Sequence, residues 1–138
     1  MSPPRNQARS ALLLLVVWLL LILAAATALR ARADEPATGD PARGEAIYRK
    51  CQGCHSIDRN RVGPMHKGLF GRQAGTVPGF DYSAAMKASG IVWNEQTLDA
   101  FLSDPRGFVP GTKMTYAGVK NPRDRADLIA YLKQATRE

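Results

Sequence analysis

The sequence predicts an all-α fold: one small domain of short helices and long loops arranged around a flat ligand. Three observations carry this reading. Asp40-Pro41, Asn94 and Asn121-Pro122 are helix starts with capping side chains, two of them with proline at the first helical position. No run alternates apolar and polar residues well enough for a strand, and no repeat or low-complexity segment follows the N-terminus. The pentapeptide Cys51-Gln52-Gly53-Cys54-His55 holds both cysteines of the chain, at the spacing of a c-type haem attachment site.

In chain order, Arg5 and Arg9 form a basic start, and no residue from Ser10 to Leu29 is charged. Ala31-Arg32-Ala33 offers small residues for signal-peptide cleavage, with Asp34 as the first mature residue. The apolar run approaches the roughly 20 residues that span a bilayer. Residues 1–33 are therefore expected to be a signal peptide or an uncleaved membrane anchor, and residues 34–138 the domain. Both versions export the domain. Of the 19 Lys and Arg, the four at Arg5, Arg9, Arg30 and Arg32 precede Asp34, leaving 15 against 12 acids, a balance of +3. That excess is too small to argue for nucleic acid as a partner. A chain this short buries a limited core unaided, so a large apolar ligand at its centre becomes part of the fold.

Asp34 to Gly39 is a polar lead-in. Asp40 caps a helix that runs through Ile47 and Tyr48 toward Cys51. Ser56 to Phe80, glycine-rich and holding Pro64 and Pro78, reads as an ordered loop. Tyr82 to Ala88 reads as a short helix ending at Gly90. Asn94 caps a helix with Leu98, Phe101 and Leu102 on one face, stopping before Asp104-Pro105. Arg106 to Val119 reads as a second irregular stretch. Asn121-Pro122 starts a last helix to about Arg137, with Leu128, Tyr131 and Leu132 as its apolar stripe and Asp124 in its first turn.

The chemistry of Cys51 to His55 explains the spacing. Two thiols three positions apart reach the two vinyl groups of one haem, and the adjacent imidazole is an axial ligand for its iron. Rival readings are weaker. A thioredoxin-like site needs a βαβ surround. A zinc site of Cys51, Cys54, His55 and His66 asks adjacent residues to bind one ion. A Cys51–Cys54 disulfide closes too small a loop to staple much. The sixth ligand decides between electron transfer and reaction, and Met65, Met86, Met114 and His66 are candidates. A lone methionine is usually core filling. Met114 escapes that reading best, because the Pro110-Gly111 turn before it can fold the loop over the other haem face. Met65 lies only ten residues after His55, and Met86 reads as a packing residue.

The chain resembles the class I c-type cytochromes, of the mitochondrial-like type also found as soluble bacterial carriers. The matching pieces are Cys51 to His55, Gly63-Pro64, Gly68 to Arg72, Pro78 to Tyr82, Trp93, Pro110 to Met114 and Asp127 to Lys133, in family order from Gly39 to Glu138. The resemblance implies a cytochrome c domain whose N- and C-terminal helices cross, with Gly44 permitting close approach and Tyr48, Leu128 and Tyr131 at the contact. It implies one haem c bonded covalently through Cys51 and Cys54, with His55 and Met114 as axial ligands. The Pro64 carbonyl would accept a hydrogen bond from His55. Tyr82, Trp93 and Thr112 would donate toward a haem propionate, with Arg72 nearby; the plainer reading of Tyr82 and Trp93 is core packing.

Three features depart from the family pattern. Phe101 stands where many relatives have a tyrosine near the methionine sulfur. Met65-His66-Lys67 replaces a segment in which relatives often place leucine at His66 and histidine at Lys67; either His66 lies near the haem or Met65 takes the apolar slot, and the plainer reading of His66, favoured here, is a surface imidazole. The short loop from His55 to Gly63 suggests a bacterial carrier. With both axial positions filled, the expected function is one-electron carriage, not enzymatic turnover, by a monomer in the periplasm. A cytochrome bc complex would be donor, and a terminal oxidase or photosynthetic reaction centre acceptor. Lys50, Lys67, Arg106, Lys113 and Lys120 would ring the exposed haem edge and steer docking onto acidic partners. The alternatives are a peroxidase-like haem enzyme or sensor in which Met114 dissociates, and a membrane-tethered cytochrome subunit of an oxidase.

Overall fold

The computed structural model describes residues 15–22 and 39–137. The chain divides into two units, Met1–Pro36 and Ala37–Glu138. In the first, residues 15–22 are helical (α1) with all eight side chains exposed. The basic start at Arg5 and Arg9, the expected cleavage site at 31–33 and most of the apolar run lie outside the described residues. Among the described residues, no helix is long and apolar enough to cross a membrane.

The second unit is helical: α2 (Pro41–Tyr48), α3 (Ala84–Ala88), α4 (Glu95–Ser103), α5 (Pro105–Phe108) and α6 (Pro122–Ala135). Its one isolated β-bridge among the described residues pairs Gln73 with Val92. The caps explain where the helices begin. The Asp40 carboxylate accepts from the Ala42 and Arg43 amides, and the Asn121 side chain from those of Arg123 and Asp124, each ahead of a proline whose missing N–H is no loss there. Asn94 and Thr97 form a reciprocal capping box.

The crossing of α2 and α6 is the structural anchor. A Cβ added at Gly44 would lie 2.0 Å from the Asp127 carbonyl oxygen and 2.7 Å from the Tyr131 Cβ, so only glycine permits this approach. Tyr48 and Leu128 are fully enclosed at the contact. Asp127, also fully buried, accepts the Asp40 N–H at 2.7 Å and pairs with Arg43 at 3.1 Å and Arg123 at 3.4 Å. That carboxylate therefore ties the start of α2 to α6 while its two cationic partners keep contact with water.

The structure corrects two element boundaries and adds one element. The short helix expected from Tyr82 begins at Ala84, because the Ser83 hydroxyl accepts from the Met86 amide and makes Ser83 the cap. The stretch from Arg106 is not wholly irregular: Pro105–Phe108 forms one helical turn, with the Val109 amide bonded to the Pro105 carbonyl. The first helix ends at Tyr48, and turns continue it to the cysteines.

Candidate functional site

Past Tyr48 the backbone keeps a helical sense without a regular helix. The Cys51 amide donates to the Tyr48 carbonyl at 2.8 Å, and the His55 amide to the Cys51 carbonyl at 2.8 Å. Positions i, i+3 and i+4 of such a turn share a face. Cys51, Cys54 and His55 accordingly line one cavity of about 300 Å³. Both cysteines are unpaired thiols. Burial pushes the Cys51 thiol up to about 11, with Cys54 adding to the shift and Lys50 opposing it, so it is not a reactive thiolate.

His55 is held on two sides. Its Nδ1 lies 2.8 Å from the Pro64 carbonyl oxygen. A carbonyl only accepts, so Nδ1 carries the proton and Nε2 keeps its lone pair. Gly63 touches the ring so closely that an added Cβ would sit 2.3 Å from Cε1. The Gly63 amide in turn bonds the Cys54 carbonyl at 2.8 Å, closing the loop back onto the attachment turn. Burial lowers the His55 pKa, with the Pro64 hydrogen bond acting the other way, which favours the neutral, ligating form.

The remaining six residues expected at the site reach the same cavity: Pro64, Arg72, Tyr82, Trp93, Thr112 and Met114. Met114 enters from the loop after α5. Gly111 takes a left-handed φ of 90° there, and the Thr112 hydroxyl accepts the Met114 amide at 3.3 Å, turning the chain inward. Lys113 fastens this loop to its neighbour through the Asp81 carboxylate at 2.6 Å and the Asp81 carbonyl at 2.8 Å. Arg72 donates to the Lys67 carbonyl at 2.5 Å and to the Met65 carbonyl at 3.0 Å, so its guanidinium braces the 65–67 segment. Burial raises the pKa of Tyr82, opposed by Arg72 and the Val77 backbone, keeping a neutral hydroxyl at the cavity wall. Trp93 is buried, its backbone bonded to Arg72 and Gly71.

His66 is a correction. It is not a surface imidazole: its ring stacks on His55 with centroids 4.4 Å apart and planes at 23°, and Nδ1 lies 3.1 Å from the Tyr48 hydroxyl. Burial, His55 and Arg72 push its pKa down to about 3, so the ring is neutral. Stacked faces do not converge two nitrogens on one ion, which removes the zinc alternative. Met65 does not line the cavity; Met86 does, from α3, where it is also packed into the core. The cationic set is also less free than expected. Lys113 is paired with Asp81, Lys120 donates to the Ser103 carbonyl and Arg106 to the Thr115 carbonyl, while Lys50 lines the cavity rim and Lys67 is exposed.

The wall is otherwise apolar, with Leu69, Leu98, Phe101, Leu102, Leu128 and Leu132 belonging both to it and to the core. Two free thiols, the His55 imidazole with one committed nitrogen, its stacked neighbour His66 and the thioethers of Met86 and Met114 line this largely apolar slot. This donor set fits a covalently held haem. Thioether bonds would come from Cys51 and Cys54, iron coordination from His55 and Met114.

Residues 41–136 match the family described as Cytochrome c. The chain is 48% identical over 107 residues to cytochrome c of Sesamum indicum, covering 75% of this chain and 96% of the relative. It is 50% identical over 99 residues to cytochrome c2 of Rhodomicrobium vannielii, covering 70% and 79%. Among solved structures, cytochrome cH from Methylobacterium extorquens aligns with a TM-score of 0.67 and 44% identity, over 69% of this chain and 98% of that one.

Proposed function

The chain belongs to the cytochrome c family, an electron carrier with covalent haem c and not an enzyme, and from that premise we propose how its residues do the work. Bound haem supplies an iron that exchanges one electron between ferric and ferrous forms. Cys51 and Cys54 hold it by thioethers. His55 and Met114 would ligate its iron, leaving no open position for a substrate. One observation carries this reading: the Pro64 carbonyl claims Nδ1 of His55 at 2.8 Å, leaving Nε2 for a metal in the cavity that Met114 also lines.

The thioether of Met114 favours the ferrous form, as does an apolar wall around the haem, and both raise the potential. The Asp81–Lys113 tether and the Thr112 hydroxyl tie down the Met114 loop, which would hold the thioether in place toward the iron. Tyr82, Trp93 and Thr112 donate hydrogen bonds to a propionate. Arg72 acts one step back, through the segment it braces.

Residues 1–33 direct export, either cleaved after Ala33 or kept as an anchor, and residues 34–138 work in the periplasm as a monomer. A cytochrome bc complex donates the electron, and a terminal oxidase or photosynthetic reaction centre accepts it, through a small, transient interface. Replacing Met114 tests the coordination. The ferric parent shows a methionine–iron charge-transfer band, and Met114→Ala loses it and gains an open site for cyanide. A parent without the band, or a variant that keeps it, overturns the assignment.

A further inference from the structure

The stack beneath His55 has no part in the mechanism above. From its geometry we infer that His66, held by Tyr48, is a positioning residue that sets the environment of the His55 ring and thereby the reduction potential. The inference rests on His55 being the iron ligand.

Every part of the pair is pinned. The His66 amide donates to the Ser56 carbonyl at 3.0 Å, and the Lys67 amide to the Ile57 carbonyl at 2.6 Å. Arg72 binds the carbonyls of Met65 and Lys67, on either side of residue 66. The ring itself is fixed by the Tyr48 hydroxyl at 3.1 Å. Tyr48 is only 1% exposed, and its ring packs on Tyr131 of α6 at 5.2 Å. The helix crossing therefore orients Tyr48, Tyr48 orients His66, and His66 presents a flat dipolar face to His55 at 4.4 Å. The Pro64 hydrogen bond fixes one atom of His55 and Gly63 bounds the ring on one side, but neither spans the face that His66 covers. A plane stacked on that face restrains the ring, as partners outside the coordination sphere do at metal sites.

The effect on potential has a sign. Oxidation adds a positive charge at the iron and its ligands. A polar neutral ring against the ligand stabilises that charge better than an alkyl group does, and so favours the ferric form. His66→Leu keeps an apolar filler and removes the dipole and the stack. Tyr48→Phe keeps the aromatic packing at the helix crossing and removes only the hydroxyl.

The test is potentiometry of the holoprotein, with ferric EPR g-values and the hyperfine-shifted proton resonances of His55 as readouts of ring orientation. His66→Leu is expected to raise the potential and shift both spectra. Tyr48→Phe is expected to move them the same way by less, and to add nothing when combined with His66→Leu. Unchanged spectra with an unchanged or lowered potential in His66→Leu overturn the inference, whatever happens to stability. Full effects from His66→Leu with none from Tyr48→Phe overturn the part assigned to Tyr48. Failure of the underlying coordination is distinguishable, because it appears in the parent: a holoprotein with no imidazole on iron defeats both readings at once.

Discussion

Deprived of haem, the domain is expected to lose its cooperative fold. The cavity of about 300 Å³ lies within the core, and eight core leucines and aromatics line its wall. At ~24 cal/mol per Å³ of apolar void, leaving it empty costs about 7 kcal/mol; the open mouth, which admits water, makes this an upper bound. A domain of this size is stable by about 5–15 kcal/mol in total, so the void is of the same order as the whole margin, from about half of it to all of it. The perturbation is expression without haem-attachment machinery, which yields the same chain with free thiols. Far-ultraviolet circular dichroism across a urea titration reads the outcome. The holoprotein is expected to unfold in one sharp transition, and the apoprotein to show weak helicity and a shallow, sloping response. An apoprotein with holo-like helicity and a cooperative transition would refute the argument, because the helices would then hold together around nothing.

Other perturbations probe separate parts of the structure. Gly44→Ala drives a Cβ to within 2.0 Å of the Asp127 carbonyl and forces α2 off α6; overpacking costs about 1–3 kcal/mol, read as a lower thermal midpoint, and an unchanged midpoint contradicts the close approach. Burial pushes the Tyr48 hydroxyl from 10.0 up to about 12. Because the folded value lies above the unfolded one, the protonated phenol contributes fully below about pH 10 and its contribution is lost as pH rises toward 12, by roughly 3 kcal/mol at most. Tyr48→Phe is therefore expected to flatten the fall in stability between those pH values, and parallel curves for the two proteins would count against it. Phe101→Tyr brings a hydroxyl to the cavity wall beside Trp93, whose ring lies 5.2 Å away; it is expected to shift the reduction potential, and equal potentials exclude any influence of that position on the iron.

What the sequence reveals here follows from range. The caps at Asp40, Asn94 and Asn121 are local chemistry, with donor and acceptor two or three residues apart, and they mark three of the helices. The attachment turn is equally local. The short helix α5 escaped because Asp104-Pro105 reads as a stop for the helix before it, while proline at a first helical position is also a start. Within the site, all nine expected residues line one cavity, and the Pro-Gly turn before Met114 is what made that distant residue a candidate. The Tyr48–His66 pair was not legible. Its members are 18 residues apart and meet only because α2 crosses α6 where Gly44 lets it. A polar residue that reads as surface by type is drawn half under cover once another element supplies its partner. The pairing of Lys113 was hidden in the same way: nothing local says that it will meet Asp81, 32 positions away.

The central claim is an iron closed on both faces by His55 and Met114, which makes the protein a carrier. Exposing the reduced holoprotein to carbon monoxide at neutral pH, within a potentiometric titration, tests it most directly. The account predicts a reversible one-electron transition that the gas leaves unmoved, with no new absorption band. A carbonyl adduct forming promptly at the ferrous iron, with the midpoint climbing as the gas is added, would contradict it.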